Sequence, residues 1–299
     1  MINLSISIGS LKLKNPIMLA SGVWEIQLSE MFDFSILGAV VLKGVNLKGK
    51  IGNLPPRIVE TPCGMLNSIG LENPGTDKLI SNINDYKALN VPIIANIFGN
   101  SADEYGEVAR RLLNYVDGFE INISCPNVKE SGIIFGRDPG SAFDITKKVR
   151  NSIGNKPLIV KLTPDSDKIL EVAKAAEDGG ADAISSSNTF TGLAIDIETF
   201  KPMLGGLSGG LSGPAIKPLS IYRVWTLSKQ IGIPIIGIGG IISPEDAIEY
   251  FIAGASAVQI GSGLFRNPTL PVEVVEGLIK YLEKRHINSI NNIIGKLEV

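Results

Sequence analysis

The chain has 299 residues, of which 44% are hydrophobic and 19% are charged, a balance that argues against disorder and allows one large apolar core. A net charge of −2 excludes the broad basic face that nucleic-acid binding requires. Two cysteines and one histidine are too few for a disulfide framework, an iron–sulfur centre or a zinc site, so we expect no metal in this chain.

No export signal and no membrane span are predicted. The first residues, Met1 to Ser5, lack a basic region followed by an apolar core. The most apolar runs, such as residues 233–242, are short and are interrupted by glycine and proline. Together with the low cysteine content, these features lead us to expect a cytoplasmic protein without membrane contact.

Apolar residues alternate on both sides of Gly9-Ser10, which predicts an N-terminal β-hairpin within residues 1–14. Eight apolar runs of strand length follow, and most of them are continuous, as expected of parallel strands that are covered on both faces. These runs occupy residues 16–20, 39–43, 92–98, 118–124, 157–163, 182–188, 234–239 and 257–261.

Helix signals separate these runs. Ser101 stands three residues before a glutamate, which is a capping box, and Ser243 precedes a proline at the first helical position. A further helix is predicted over residues 165–177. Eight β–α units in this length predict a single closed (β/α)8 TIM barrel that spans residues 1–299.

The alternative to a barrel is an open, doubly wound sheet. In its dinucleotide-binding form such a sheet carries the pattern G-x-G-x-x-G after a strand. The two segments that begin at Gly237 and Gly261 start this pattern, but both lack its third glycine. The barrel is therefore favoured.

Polar residues stand at or near the ends of several predicted strands, where the chemistry of a barrel is located. A lone lysine at a strand end is usually just solvated, but five strand ends with such residues suggest a shared site. They are amides, hydroxyls and ammonium groups with no carboxylate among them, which predicts a ligand that is anionic, amide-like or both. They are Lys43, Asn96, Asn122, Lys161 and the segment Ser187-Asn188-Thr189.

Glycines follow the last two predicted strands, at Gly239-Gly240 and at Gly261-Ser262. Backbone N–H groups of these two loops commonly hold phosphate in barrels, although glycine can also serve only to permit a tight turn. A phosphorylated planar cofactor fits this combination, because lysines near a flavin ring stabilise the negative charge of its reduced form.

Cys125 follows the fourth predicted strand. A free cysteine is most often a small buried hydrophobe, and a reactive one needs a partly exposed polar environment. Two further segments are expected at the same mouth. Residues 53–75 form a long irregular loop too apolar for disorder, and the glycine-rich residues 129–140 form either an active-site lid or a merely flexible surface loop.

Several long motifs resemble one known family, the class 1 dihydroorotate dehydrogenases, and more closely their class 1B catalytic subunits. The resemblance runs from near the start of the chain to residues 294–295. Its carrying segments are residues 12–17 (KLKNPI), 60–75 (from ETP to NPG), 122–129 (NISCPNVK), 209–218 (GGLSGPAIKP) and 234–241 (PIIGIGGI).

The resemblance implies an FMN enzyme that oxidises dihydroorotate to orotate in the synthesis of pyrimidines, including UMP. Cys125 is then the base that removes the C5 proton, while C6 gives a hydride to the flavin. The residues implied for the substrate are Lys43, Asn67, Ser68, Ile69, Gly70, Leu71, Asn122, Asn188 and Thr189. Those implied for FMN are Ser21, Lys43, Gly44, Asn96, Asn122, Lys161, Ser187, Gly213, Gly239, Gly240, Gly261 and Ser262.

The resemblance also implies partners. Class 1B catalytic subunits form a homodimer core that passes electrons to two partner subunits, each of which carries FAD and a [2Fe-2S] cluster and reduces NAD. This chain departs from the family at Gly44-Val45-Asn46, where alanine and threonines are frequent, and at Cys63, where alanine is common. These departures do not change the implied chemistry. They do leave the side-chain contacts of residues 44–46 undetermined by the sequence.

Other functions are weighed beside this one. A class 1A-like homodimer would use fumarate as the electron acceptor, and the long motif at residues 60–75 argues against it. An isomerase or lyase barrel without flavin would use the glycine loops but leaves Lys43, Asn96 and Lys161 unexplained. A non-catalytic binding subunit does not need Cys125, and the acidic charge disfavours a flavin barrel that modifies tRNA.

Overall fold

The computed structural model describes residues 2–124 and 135–298. In chain order its strands are β1 (Ile6–Ile8), β2 (Leu11–Leu13), β3 (Ile17–Leu19), β4 (Ala39–Val41), β5 (Ile58–Thr61), β6 (Gly64–Asn67), β7 (Ile93–Ile97), β8 (Gly118–Asn122), β9 (Leu158–Lys161), β10 (Ala183–Ser186), β11 (Phe190–Gly192), β12 (Ile195–Asp196), β13 (Lys201–Pro202), β14 (Gly209–Ser212), β15 (Ile235–Ile238) and β16 (Ala257–Ile260). The α-helices are α1 (Thr76–Ser81), α2 (Ile83–Lys87), α3 (Ala102–Leu112), α4 (Pro139–Ile153), α5 (Ile169–Asp178), α6 (Lys217–Ser228), α7 (Pro244–Ala253), α8 (Gly263–Arg266) and α9 (Leu270–Lys284).

Eight parallel strands close into a barrel in the order β3, β4, β7, β8, β9, β10, β15, β16 and back to β3. Each lies within one of the eight apolar runs, so the predicted (β/α)8 barrel is confirmed. The register pairs Asn96 with Glu120 and Asn122 with Lys161 on neighbouring strands. Polar residues from separate parts of the chain are thereby brought to one end of the barrel.

Strand residues of the barrel are buried on both faces, which explains why the apolar runs are continuous. Large apolar side chains fill the layer between the strands and the surrounding helices. Phe119 of β8, Tyr105 of α3 and the α7 pair Tyr250 and Phe251 are all completely buried. The barrel is therefore a rigid scaffold for the loops at its mouth.

The predicted N-terminal hairpin is present, with β1 antiparallel to β2. Its turn lies at the amino-terminal ends of the barrel strands, because the hydroxyl of Ser10 donates to the carbonyl of Asn155, just before β9. Gly9 has a φ of 53°, and a Cβ at this position would lie 2.7 Å from Cγ of Asp182. The hairpin thus covers the end of the barrel opposite the mouth.

The two predicted helix caps are confirmed. The Ser101 hydroxyl accepts from the N–H of Glu104 at 3.2 Å, and the Ser243 hydroxyl accepts from the N–H of Asp246 at 3.2 Å. The carboxylate of Glu104 binds the N–H of Asn100, one residue earlier than a capping box requires. Both helices nevertheless begin where their serines predict.

The predicted helix at residues 165–177 begins later than expected, at Ile169. The cause is that Asp165 does not cap it. Its carboxylate instead accepts from the N–H of Thr191 at 3.2 Å, and the Ser166 hydroxyl accepts from the N–H of Lys168 in a turn. Asp165 thus holds the neighbouring loop at Thr191, although aspartate is a residue type that often caps helices.

The expectation of a helix after every strand fails at the first connection. Between β3 and β4, residues 20–38 are all described, and they contain the short 3-10 turns Ile26–Leu28 and Phe34–Ile36 in place of an α-helix. The indole N–H of buried Trp24 donates to the carbonyl of Val41, which fastens this connection to β4. Helix α9 contacts β3 and covers it from outside.

The expectation that residues 53–75 are irregular is wrong for their central part. Strands β5 and β6 form an antiparallel pair that continues through β14 and β11 into a four-stranded sheet above the barrel. The pairing of β6 with β14 joins residues such as Leu66 and Leu211, which are far apart in the sequence. Local sequence therefore could not reveal it. A second small sheet pairs β12 with β13.

Within the two described ranges, none of the helices combines the length and the apolar character that crossing a bilayer demands.

Candidate active site

A cavity of about 640 Å³ opens at the carboxyl-terminal ends of the barrel strands, beneath the four-stranded sheet. Its volume is typical of small-molecule sites. It gathers all the predicted site residues in the described ranges except Gly213. Those that line it are Ser21, Lys43, Gly44, Asn67, Ser68, Ile69, Gly70, Leu71, Asn96, Asn122, Lys161, Ser187, Asn188, Thr189, Gly239, Gly240, Gly261 and Ser262.

Gly213 has a different position. Its φ is 105°, and a Cβ there would lie 2.5 Å from Cα of Gly64 in the turn between β5 and β6. Its lack of a side chain therefore lets the loop before α6 approach the four-stranded sheet. Its carbonyl oxygen would be 2.9 Å from a Cβ placed on Gly240, so Gly213 borders a residue that lines the cavity, and its role in binding FMN stays a prediction.

Cys125 lies outside the described residues, as do residues 129–134 of the predicted lid. Residues 135–140 contain the 3-10 turn Phe135–Arg137 and the start of α4. Asp138 caps this helix by accepting from the N–H of Ser141 at 2.7 Å. The catalytic role of Cys125 and the lid role of the segment stay predictions.

Both lysines of the mouth have a carboxylate neighbour that lies outside the predicted set of polar residues. Nζ of Lys43 lies 2.9 Å from Oε1 of Glu25, in a pair that is partly open to solvent. Nζ of Lys161 lies 3.8 Å from Oε1 of Glu120, and both side chains are buried. Neither Glu25 nor Glu120 is among the residues that the sequence predicts for the site.

Glu120 stands at the centre of a polar network inside the barrel. Its Oε1 accepts from Nδ2 of Asn96 at 2.7 Å, and its Oε2 accepts from the hydroxyl of Ser185 at 2.9 Å and from Nε2 of Gln259 at 2.7 Å. All four residues are buried and come from four different strands. This network supports the floor of the cavity, which Asn96 and Lys161 line.

Asn122 connects three parts of the mouth. Its Oδ1 accepts from the N–H of Ser124 at 3.1 Å and from Nδ2 of Asn188 at 3.4 Å. Its backbone carbonyl accepts from the phenol of Tyr105 at 2.6 Å. The side-chain amide is therefore held in one orientation beside the last residue described before Cys125.

Two residues of α7 hold the glycine loop after β15 in place. The phenol of Tyr250 donates to the carbonyl of Gly239 at 2.6 Å, and Oδ2 of Asp246 accepts from the N–H of Ile242 at 2.9 Å. Gly239 and Gly240 have φ values of 132° and 68°, which favour glycine. In the described part of the chain, the N–H groups of Gly240, Gly261 and Ser262 find no backbone or side-chain acceptor. These donors are available to an anion.

A cluster of one lysine and two carboxylates lies behind this loop. Oδ1 of Asp246 lies 2.6 Å from Nζ of Lys217, which also lies 2.8 Å from Oε1 of Glu249. Burial acts to raise the pKa of Asp246, but the hydrogen bonds from Lys217 and from the Ile242 N–H outweigh it and hold this pKa below its ordinary value. Burial raises the pKa of the Tyr250 phenol, which stays a neutral donor to the loop.

The segment from Asn67 to Leu71 reaches the cavity from the four-stranded sheet. Nδ2 of Asn67 donates to the carbonyl of Gly210 at 3.2 Å, which ties the end of β6 to β14. Leu71 has a φ of 59°, unusual for a side chain, and its carbonyl accepts from Nδ2 of Asn73 at 2.9 Å. Asn73 thus fixes the turn that ends the predicted substrate segment.

The structure defines the contacts at positions 44–46. A Cβ on Gly44 would lie 2.7 Å from Oδ1 of Asn96, so the glycine permits Asn96 to approach this strand end. Val45 is buried in the core. Asn46 faces the loop instead, where its Oδ1 accepts from the N–H of Gly49 and its own N–H donates to Oδ1 of Asn73.

Beyond the predicted site residues, the cavity is also lined by residues to which the sequence assigned no role in the site. They include Arg137, which lies in the segment of the predicted lid, together with Thr163, Asp165 and Phe265. Only Glu120 had a usable signal, because a charged residue in the middle of a fully buried strand must have a partner.

The fold and the cavity together define a (β/α)8-barrel protein with a polar, glycine-bounded site for an anionic ligand at the carboxyl ends of its strands. A profile described as "Dihydroorotate dehydrogenase" matches residues 3–282. The chain belongs to the dihydroorotate dehydrogenase family.

Three curated relatives of similar length match nearly the whole chain. One from Citrifermentans bemidjiense is 46% identical over 302 residues and covers 99% of both chains. One from Trichlorobacter lovleyi is 49% identical over 300 residues, with 99% of this chain and 98% of the relative covered. One from Thermoanaerobacter sp. is 48% identical over 304 residues with 99% of both covered. All three are named dihydroorotate dehydrogenase B (NAD(+)), catalytic subunit.

Proposed function

We propose that this chain is the FMN-binding catalytic subunit of a dihydroorotate dehydrogenase that oxidises dihydroorotate to orotate in pyrimidine biosynthesis. The observation that carries the proposal is the single cavity lining that joins two lysines, five asparagines and the two glycine loops at the barrel mouth. Relatives named for this activity cover the whole length of the chain, which supports it.

The residues at the mouth fit FMN. The free N–H groups of Gly240, Gly261 and Ser262 suit its phosphate, as in other barrels. A Cβ on Gly261 would meet no atom of the described residues within 4 Å, so this glycine borders open space in the described part of the chain. Within the described residues, the ammonium of Lys161 makes no hydrogen bond although it is buried, which leaves its donors for a flavin ring. When bound, FMN supplies a hydride acceptor.

The substrate side of the cavity carries amides. Dihydroorotate is a cyclic diamide with a carboxylate, so it needs both donors and acceptors. Asn67, Asn122 and Asn188 offer both from their side chains, and Thr189 adds a hydroxyl. Lys43 supplies a positive charge for the carboxylate. These groups would bind and orient the substrate between the four-stranded sheet and the barrel floor.

Cys125 is proposed as the general base. It follows β8 by three residues in the sequence, next to the segment that Asn122 orders. A thiol has an ordinary pKa of about 8.5, so surroundings that favour the thiolate make it an effective base near neutral pH. The thiolate takes the C5 proton, while the electron pair of the C6–H bond leaves as a hydride. Closure of residues 129–140 would exclude water from this step.

Electrons are proposed to leave through a partner subunit that carries FAD and a [2Fe-2S] cluster and reduces NAD. The relatives are named as NAD(+)-type catalytic subunits, which supports a further subunit. The chain itself has two cysteines, whereas a cluster of this kind takes four protein ligands, so the cluster would belong to the partner.

A homodimer core is proposed from an exposed apolar surface formed by residues 51–58 and 193–207. The N–H of Gly205 donates to the carbonyl of Pro56 at 2.7 Å, which joins the two segments. Exposed apolar patches of this kind mark interfaces. Its large exposed side chains are Ile51, Leu54, Ile58, Leu193, Ile195, Ile197, Phe200, Met203 and Leu207.

The proposal is tested by purifying the chain with FMN and adding dihydroorotate without oxygen. We expect a yellow protein whose flavin absorption bleaches as orotate forms. Cys125→Ser should keep the flavin but lose most of the turnover at neutral pH, and full activity in that variant overturns the base assignment. NAD reduction should require the partner subunit, and efficient turnover of the isolated chain with fumarate would point to the class 1A-like alternative. A colourless chain that takes up no FMN overturns the proposal.

A further inference from the structure

The carboxylate of Glu120 is the most completely buried ionisable group that touches the floor of the cavity, with no exposed surface. It makes three hydrogen bonds, to Asn96, Ser185 and Gln259, at 2.7 to 2.9 Å. Lys161 lies 3.8 Å away, beyond hydrogen-bond distance. The mechanism above gives Glu120 no role, and burying such a group is costly unless its partners need it.

The network is arranged around a negative charge. A carboxylate is an acceptor only, and all three neighbours at hydrogen-bond distance are donors. Gln259 is informative here, because its Oε1 is buried and finds no partner among the described residues while its Nε2 faces Glu120. Exchanging the two atoms would place an oxygen against the carboxylate. Oε1 of Gln259 is therefore left without a hydrogen bond among the described residues, while Glu120 is surrounded by donors.

The same carboxylate controls the two groups that line the floor. Its bond to Nδ2 of Asn96 orients that amide. Its charge balances the ammonium of Lys161, but at 3.8 Å it leaves the ammonium hydrogens free. Both residues line the cavity, whereas Glu120 itself does not.

We propose that Glu120 is a positioning residue that holds Asn96 and Lys161 against the ring of bound flavin and sets the net positive charge that the ring meets. The inference rests on the FMN binding of the proposed function. A flavin gains negative charge on reduction, so neighbouring charge changes its reduction potential. With Glu120 in place the charge of Lys161 is largely compensated, and the potential is kept lower than a lone lysine would make it.

The test compares Glu120→Gln with Ser185→Ala. The first removes the charge and keeps the size, whereas the second removes one donor to Glu120 and keeps the charge. For each variant and the unaltered chain, FMN affinity is measured for the oxidised and the reduced forms, with the reduction potential and the melting temperature. We expect E120Q to favour reduced over oxidised FMN about tenfold more than the unaltered chain does, which is a positive shift of about 30 mV for a two-electron couple. S185A should leave the potential unchanged.

A merely structural role predicts another pattern. If E120Q lowers the melting temperature but leaves the potential unchanged, or if S185A shifts the potential equally, the inference is overturned. Should E120Q fail to fold, Glu120→Asp replaces it, because this variant withdraws the charge from Lys161 by one methylene. Its potential should shift in the same direction and less, and an unchanged potential overturns the inference. An unaltered chain that binds no FMN refutes the proposed function instead.

Discussion

Nζ of Lys43 lies 2.9 Å from Oε1 of Glu25, so the ammonium that is proposed to meet the carboxylate of the substrate already has a carboxylate partner. The side chains of Lys43 and Glu25 are 32% and 49% exposed, which means that water screens the pair and that it adds little to the stability of the fold. The pair instead affects substrate binding, because the carboxylates of Glu25 and of the substrate compete for the ammonium of Lys43.

Glu25→Gln should therefore lower the KM for dihydroorotate by up to about fivefold, the equivalent of the ~1 kcal/mol upper range for an exposed ion pair. The melting temperature should stay the same. Steady-state kinetics with a saturating electron acceptor measure the effect. Glu107→Gln is the matched control, since Glu107 forms an exposed pair with Arg111 on α3, and it should leave the KM unchanged. A raised KM in E25Q would show that Glu25 helps to hold Lys43 in place.

The barrel itself was predictable because each strand carries its own signal. Eight continuous apolar runs could be recognised one at a time, and a lysine or asparagine at the end of a run marks the mouth without knowledge of its neighbours. Local sequence sufficed for Lys43, Asn96, Asn122 and Lys161, all of which line the cavity.

The partners of these residues could not be predicted, because they depend on strand register. Glu120 and Gln259 are 139 residues apart in the sequence, and Asn67 and Gly210 are 143 apart. A shift of one residue in any strand would turn these side chains to the other face. The same dependence on distant residues explains why the strands of the 53–75 segment were expected to be irregular and why the helix predicted over residues 165–177 begins later, since Asp165 binds Thr191.

Gly261→Ala tests FMN binding with a substitution that should not disturb the fold. Among residues 2–124 and 135–298, no atom lies within 4 Å of a Cβ at this position, and the backbone is not in the left-handed region. We expect the variant to keep the melting temperature of the FMN-free chain but to bind FMN at least about tenfold more weakly, a loss of ~1.4 kcal/mol, because the methyl group would occupy the space of the ligand. Fluorescence titration of the FMN-free chain measures the affinity.

Gly140→Ala is the control for this experiment. Gly140 lies in the first turn of α4, and within the described residues an added Cβ would contact only Asp138, at 3.4 Å. Alanine should be tolerated there or slightly stabilising, and FMN affinity should not change. An FMN affinity of G261A equal to that of the unaltered chain would place the phosphate elsewhere.

The apolar surface at residues 51–58 and 193–207 should hold two copies together. Ile197 and Phe200 lie between β12 and β13 and are 77% and 88% exposed. The double variant Ile197→Asp/Phe200→Glu should convert a dimer into a monomer, because it places two charges in an apolar interface. Sedimentation velocity measures the result.

A charge on a different exposed apolar residue provides the control for this variant. Tyr222 on α6 is 67% exposed, and Tyr222→Glu should leave the dimer intact. If the unaltered chain sediments as a monomer at micromolar concentration, the proposed homodimer surface is wrong.

Asp246 is expected to make the stability of the glycine loop after β15 depend on pH. It accepts from Lys217 and from the N–H of Ile242, and these bonds hold its pKa below the ordinary value despite burial. Asp246→Asn should lower the free energy of unfolding at neutral pH by about 1.5–3 kcal/mol, the range for hydrogen bonds to charged groups. Urea unfolding of both proteins at several pH values measures this difference.

The pH dependence has a definite sign. Above about pH 4, the ordinary pKa of an aspartate, the carboxylate is ionised in both states and its full stabilising effect is present. As the pH falls below that value, the unfolded chain takes up a proton first, so the difference between D246N and the unaltered chain shrinks and vanishes below the lowered pKa of the folded state. Asp77→Asn, at an exposed pair with Arg111, should change little at neutral pH. A difference for D246N that persists undiminished down to pH ~3 would mean that the charge of Asp246 is not what stabilises the loop.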